Sequence, residues 1–278
     1  MTPRELIRNT AAQFRDAGIP DPENDAALLL SRLTGRPPLD LRLDTDTVLD
    51  SAVLSDFETL SSGRLTRTPL QYLLGEAPFY HRVFRVDSRV LIPRPETELL
   101  CEWVLELFPE QESPRVLDLC CGSGCIGLTV KAERPRAQVT LSDISEEALE
   151  VASLNAGALC LDVSLRQTDL LDGFPASSFD LILSNPPYIP AGECDFLQPE
   201  VLFEPRLALD GGPDGCDIYR RIADRARSVL APGGKLLMEL GIGEAGPVAG
   251  LLADSGYTGI QTRKDYAGID RMILAVRP

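Results

Sequence analysis

Asn185-Pro186-Pro187-Tyr188 is the stretch whose residue types point most directly to a reaction. An amide or aromatic amine nitrogen is a poor nucleophile, because its lone pair is delocalised. To be alkylated, it needs both N–H groups held by acceptors and its lone pair aimed at the electrophilic carbon. The Asn185 side-chain oxygen suits one hydrogen and the Pro186 carbonyl the other. Pro186 and Pro187 stiffen the backbone that presents them, and Tyr188 offers a flat face for stacking. Chemistry of this kind works by orientation, with reacting atoms brought to roughly 3–3.5 Å. The tetrad directly follows the apolar run Phe179-Asp180-Leu181-Ile182-Leu183, which places it at the carboxyl end of a strand.

A second constellation lies upstream. The apolar run Val116-Leu117-Asp118-Leu119 passes straight into Cys120-Cys121-Gly122-Ser123-Gly124-Cys125-Ile126-Gly127. Glycine lets a backbone approach a ligand closely, and the helix that follows offers its amino end. Asp143 ends the next strand, before Ile144, where a carboxylate suits the two hydroxyls of a ribose. Asp169 and Leu170 follow a third strand, at the height of an adenine edge. Gly122-x-Gly124-x-x-Gly127 also satisfies the dinucleotide fingerprint. Asp118 favours a ligand with a cationic amino-acid part over a pyrophosphate. The pattern resembles the first motif of Rossmann-like S-adenosylmethionine methyltransferases, with Cys120 where many of them have glycine. The candidate cofactor residues are therefore Asp118, Cys120, Gly122, Gly124, Asp143, Ile144, Asp169, Leu170 and Asn185.

The elements that must position these residues follow from periodicity. Strand-length apolar runs at Arg115–Leu119, Gln138–Ser142, Phe179–Ser184 and Lys235–Leu240 alternate with helical stretches at Glu96–Phe108, Cys125–Ala132, Ser145–Ala156 and Asp217–Leu230. Alternation of this kind predicts an α/β fold with a doubly wound, mainly parallel sheet, which binds ligands at its carboxyl edge. Before it, residues 1–75 read as a small helical bundle. Thr2-Pro3-Arg4-Glu5 and Thr68-Pro69-Leu70-Gln71 read as capping boxes, and Gly35 and Gly75 as helix ends. Val83–Val86 and Val90–Ile92, on either side of Asp87-Ser88-Arg89, predict a β-hairpin. Residues 76–92 then form a linker and 93–278 the catalytic domain.

Composition narrows the partners. Among 278 residues, 27 are basic and 42 acidic, a formal charge of −15. Such a surface repels phosphates unless its cations are gathered in one place, so no direct nucleic-acid binding is expected. There are seven cysteines without a C-x-x-C pair, and a single histidine, His81. No metal site and no histidine-based triad is predicted from this set. The charged start at Arg4, Glu5 and Arg8 lacks the apolar core of a signal peptide, and no run reaches membrane-span length. A cytoplasmic protein without membrane attachment is the expectation.

Almost end to end, the chain resembles the release-factor glutamine methyltransferases of the HemK/PrmC type. The resemblance rests on Gln71-Tyr72-Leu73-Leu74-Gly75, Val90-Leu91-Ile92-Pro93-Arg94-Pro95-Glu96-Thr97-Glu98, Asn185 to Pro190, Glu204 to Gly215, and Lys264-Asp265-Tyr266-Ala267-Gly268-Ile269-Asp270-Arg271. It implies a class I S-adenosylmethionine methyltransferase sheet joined to the helical bundle by the β-hairpin. It also implies that the bundle and hairpin grip a protein substrate. The implied reaction moves a methyl group from S-adenosyl-L-methionine, leaving S-adenosyl-L-homocysteine, to the side-chain amide of glutamine in the Gly-Gly-Gln motif of class I peptide-chain release factors. Pro93, Arg94 and Thr97 are then substrate-binding, with Asn185, Pro186, Pro187 and Tyr188, and Asn185, Pro186 and Tyr188 are catalytic. Glu244 stands where the family pattern leads one to expect glutamine. A ribosomal-protein glutamine methyltransferase, a DNA adenine-N6 methyltransferase and a non-enzymatic binding module remain as alternatives at this point.

Overall fold

The computed structural model describes residues 1–278. Its chain divides into two compact units, one of Met1–Glu76 with Gln198–Phe203, the other of Ala77–Leu197 with Glu204–Pro278.

The first unit is helical: α1 (Pro3–Asp16), α2 (Pro22–Thr34), α3 (Pro38–Leu43), α4 (Ser51–Leu65) and α5 (Leu70–Leu74). The expected capping box closes α1, with Thr2 Oγ1 accepting the Glu5 N–H and Glu5 Oε2 accepting the Thr2 N–H. Gly35 and Gly75 end α2 and α5 in the left-handed conformation that glycine adopts without penalty. The second expected capping box does not form: Pro69 occupies the cap position of α5 and no side chain caps it. Ile7, Phe14, Leu29, Leu30, Leu41 and Phe57 fill the core of this unit. Residues 198–203 join it through Glu200, which pairs with Arg67 at 2.7 Å and Arg64 at 3.0 Å, while Arg64 also holds Asp25 at 2.8 Å.

The second unit begins within a hairpin of β1 (Glu76–Phe79) and β2 (Arg82–Arg85), all but Glu76 of which belongs to it. This corrects the sequence reading, which put the turn at Asp87-Ser88-Arg89. The turn is Tyr80-His81, both at positive φ (45° and 61°), as a two-residue hairpin of matching twist requires. Val90–Ile92 form no strand. Asp87 instead makes its own turn, accepting the Arg89 and Val90 N–H groups at 3.1 Å.

The rest of this unit runs α6 (Glu98–Leu107), β3 (Arg115–Leu119), α7 (Cys125–Glu133), β4 (Gln138–Asp143), α8 (Glu146–Ala158), β5 (Ser164–Gln167), β6 (Phe179–Ser184), α9 (Asp217–Val229), β7 (Leu230–Glu239), α10 (Ala245–Asp254), β8 (Thr258–Lys264) and β9 (Asp270–Val276). Seven strands form one sheet in the order β5-β4-β3-β6-β7-β9-β8. The first five are parallel and β9 is antiparallel to both neighbours.

Because side chains alternate along a strand, each central strand feeds both faces. Val116, Leu181, Leu183, Leu237, Met272 and Leu274 pack toward α6, α7 and α8. Leu117, Leu119, Ile182, Leu236, Met238 and Ile273 pack toward α9 and α10. By the same alternation, Asp118 points to the Val116 side, under α7. Strand order reverses beside β3, which opens a crevice at the carboxyl ends of β3, β4 and β6.

Candidate active site

That crevice holds a cavity of about 370 Å³. Its wall is built from the glycine loop after β3, the ends of β4 and β5, the start of the Asn185 tetrad, the Ser88–Thr97 segment and Pro205–Asp210.

The loop is shaped by three local decisions. Cys120 adopts φ 59°, a left-handed conformation usually left to glycine. The Cys121 N–H reaches the Ser142 carbonyl at 3.0 Å, and the Gly122 N–H reaches Asp143 Oδ2 at 2.9 Å. Gly127 has no room for a side chain: a Cβ there would sit 2.3 Å from Leu141 and 2.8 Å from the Asp118 carboxylate. The bare glycine lets α7 lie close enough for its N–H to reach Asp118 Oδ2 at 2.7 Å.

Asp118 is thus placed differently from the sequence expectation. It is fully buried, absent from the cavity wall, and serves as an acceptor beneath the loop. Burial pushes its carboxyl up to about 7, against the Gly127 bond and with help from the charge of Asp143. Gly124 also lies behind the wall, as the cap residue of α7 packed on Leu128 and Leu141.

Cys120, Gly122, Asp143, Ile144, Asp169 and Leu170 do line the cavity. Asp143 bridges two loops, accepting the Ser145 N–H at 3.0 Å as well as that of Gly122, and burial raises its carboxyl. Asp169 pairs with Arg221 of α9 at 2.7 Å at the cavity edge.

On the opposite wall, Pro93, Arg94, Thr97, Asn185 and Pro187 come together. Arg94 is held at 2.5 Å by Glu204, whose other oxygen accepts the Ile92 N–H at 3.1 Å. Asn185 donates its Nδ2–H to Thr97 Oγ1 at 3.4 Å. Thr97 donates its hydroxyl to Glu239 Oε2 at 2.7 Å. Glu239 is buried, and that burial pushes its carboxyl up to about 7.

Pro186 and Tyr188 lie outside the cavity wall. The Tyr188 ring packs against Gly241, and burial, with the charge of Glu239, raises its hydroxyl. The tetrad is clamped from outside by the Glu204–Gly215 segment: the Ile189 N–H reaches the Leu209 carbonyl at 2.9 Å, and the Gly211 N–H the Ile189 carbonyl at 2.8 Å.

The sequence reading missed Glu204, Glu239 and Arg221. Glu239 carried a usable signal, an acid ending an apolar strand, the same signal that singled out Asp143. Glu204 opened a motif that was recognised without a role for its carboxylate.

Comparison with known proteins bears on this arrangement. Residues 97–204 match the family model of the methyltransferase small domain, and residues 5–75 that of the PrmC N-terminal domain. A release factor glutamine methyltransferase of Caulobacter vibrioides is 41% identical over 96% of this chain and 94% of its own length. One of Chlorobaculum tepidum is 42% identical over the same shares. The chain belongs to the release factor glutamine methyltransferase family.

The fold of this release factor glutamine methyltransferase family member has solved counterparts. A methyltransferase from Pyrococcus furiosus superposes with a TM-score of 0.54 at 19% identity, covering 70% of this chain and 88% of that one. Pro93, Arg94 and Thr97, and Pro205 to Ala208 with Asp210, line the cavity together with Asn185. No helix is long and apolar enough to cross a membrane.

Proposed function

We propose that this protein transfers a methyl group from S-adenosyl-L-methionine to the side-chain amide nitrogen of the glutamine in the Gly-Gly-Gln motif of class I peptide-chain release factors. The observation that carries this reading is the Asn185 amide, fixed by Thr97 at the carboxyl edge of β6 in the wall of the cavity. Family membership supports it independently.

The cavity suits the cofactor. Its volume lies in the range for small-molecule sites. Asp143 and Asp169 are acceptors on its wall, matched to a nucleoside's hydroxyls and amino group. Cys120, Gly122, Ile144, Leu170 and Asn185 would complete the cofactor's surroundings. Gly124 and Asp118 would act behind the wall, by holding α7 and the loop in place. When bound, the cofactor supplies a methyl group on a positively charged sulfur.

The protein's part is orientation. Asn185 Oδ1 and the Pro186 carbonyl would hold the two amide hydrogens of the substrate, leaving the nitrogen lone pair to face the methyl carbon. Pro187, Pro93, Arg94 and Thr97 would frame the substrate loop, and Tyr188 would brace the tetrad beside its stacking face. Exclusion of water strengthens each of these contacts.

Residues 1–75 would recognise the protein substrate, with 76–92 as linker and 93–278 as the methyltransferase domain. The exposed Leu39, Leu43 and Val48 of the helical unit support a protein-facing surface. The deciding experiment offers labelled S-adenosylmethionine with a class I release factor and its Gly-Gly-Gln→Gly-Gly-Ala variant. Label in the parent alone supports the proposal. Label in neither, with transfer to a ribosomal protein or to DNA, overturns it.

A further inference from the structure

β6 and β7 are parallel neighbours, with Ser184 paired to Met238. The next residue on each, Asn185 and Glu239, therefore leaves the same edge of the sheet side by side. Thr97, from the turn that precedes α6, is buried between them, 2% exposed. Its hydroxyl sits 2.7 Å from Glu239 Oε2 and 3.4 Å from Asn185 Nδ2. Thr97 and Asn185 line the cavity, whereas Glu239 does not. The Glu239 backbone is itself anchored, its carbonyl accepting the Tyr219 hydroxyl at 2.9 Å.

A hydroxyl has one proton and two lone pairs. When that proton is committed to a carboxylate, Thr97 has only lone pairs left for Asn185. The Asn185 amide must then turn its NH2 toward Thr97 and its Oδ1 away. Turned over, it would present an NH2 to the N–H groups of the substrate, donor against donor.

We propose that Glu239 is a positioning residue that fixes, through the Thr97 hydroxyl, which face of the Asn185 amide meets the substrate. The inference rests on the proposed methyl transfer to an amide. It adds a buried carboxylate that never touches the substrate yet decides the polarity of the contact that does. Polarity holds only while Glu239 is ionised, since a protonated carboxyl would donate to Thr97 and free its proton. Glu239 is faced by Arg271 of β9, by Arg94 and Glu96 ahead of α6, and by Tyr188 and Cys125.

Three isosteric or near-isosteric variants test this: Glu239→Gln, Thr97→Val and Thr97→Ser. Gln offers donor and acceptor alike, so it no longer dictates the hydroxyl. For release-factor methylation, Glu239→Gln and Thr97→Val should each lower kcat about tenfold, the scale of one hydrogen bond. In Glu239→Gln, whose side chain lies off the cavity wall, KM for the protein and the Kd of S-adenosylmethionine should hold, and Thr97→Ser should keep most of the rate lost in Thr97→Val. Glu239→Gln placed on Thr97→Val should cost nothing further, because Glu239 acts only through that hydroxyl. The wild-type kcat should rise with pH as Glu239 ionises, and this limb should vanish in Glu239→Gln.

A readout free of turnover separates this inference from the proposed function. The side-chain amide NMR signal of Asn185, assigned by its loss in Asn185→Ala, should shift in Glu239→Gln and Thr97→Val and stay in Thr97→Ser. A shift without methyl transfer by the wild type would sink the functional reading and keep the polarity relay. An unmoved signal, or additive losses in the double variant, would overturn the relay even in an active enzyme.

Discussion

The Asp118 carboxylate accepts the Gly127 N–H at 2.7 Å, fully buried beneath the loop that lines the cavity. With burial raising its carboxyl to about 7, the sign of its pH effect follows. Below about pH 4 the group is neutral both folded and unfolded, and carries no penalty. As pH rises toward 7, only the unfolded chain ionises freely, so stability falls. Above about 7 the loss is complete. Urea unfolding of Asp118→Asn between pH 5 and 7.5 should show a shallower decline than wild type, by up to about 1.4 kcal/mol per pH unit. Parallel declines would refute a neutral buried carboxyl at this position.

Cys120 adopts a left-handed backbone, φ 59°, in the cavity wall. A side chain there costs about 1 kcal/mol, partly offset by the greater freedom glycine has when unfolded. Cys120→Gly should therefore leave stability unchanged or raise it by up to about 1 kcal/mol, measured by chemical unfolding. A loss of more than that size would mean that the thiol contributes packing that outweighs the strain.

Asp143 joins the Gly122 and Ser145 N–H groups at the cavity wall. Asp143→Ala should weaken S-adenosylmethionine binding at least tenfold in calorimetry, since it removes both an acceptor and a tether of the loop. An unchanged dissociation constant would place the ribose contact elsewhere.

Asn185 is the one tetrad side chain hydrogen-bonded to another wall residue, Thr97. Asn185→Ala should cut turnover on the order of a hundredfold or more, with cofactor affinity largely kept. Comparable turnover would remove orientation of the amide from the mechanism.

Features encoded over a few neighbouring residues were legible without the fold. The glycine loop, the strand ending in Asp143 and the tetrad after an apolar strand each combine a backbone requirement with a local pattern. Together with the alternation of strands and helices, they sufficed for the sheet and for the edge where the cavity lies. The hairpin was misplaced because Val90-Leu91-Ile92 has the apolar character of a strand, while Tyr80-His81 lacks the usual turn residues. β8 escaped notice because it is a polar strand at the sheet's edge, exposed along much of its length.

Local pattern alone thus determined where the glycine loop and the tetrad stand on the sheet. Tertiary structure decided what those side chains face. Strand alternation turned Asp118 under α7 instead of toward the cavity, and the adjacency of β6 and β7 set Glu239 beside Asn185. Glu204 meets Arg94, and Thr97 meets Glu239, across more than a hundred residues of chain. Such pairings depend on strand order and register, which no short window of sequence contains.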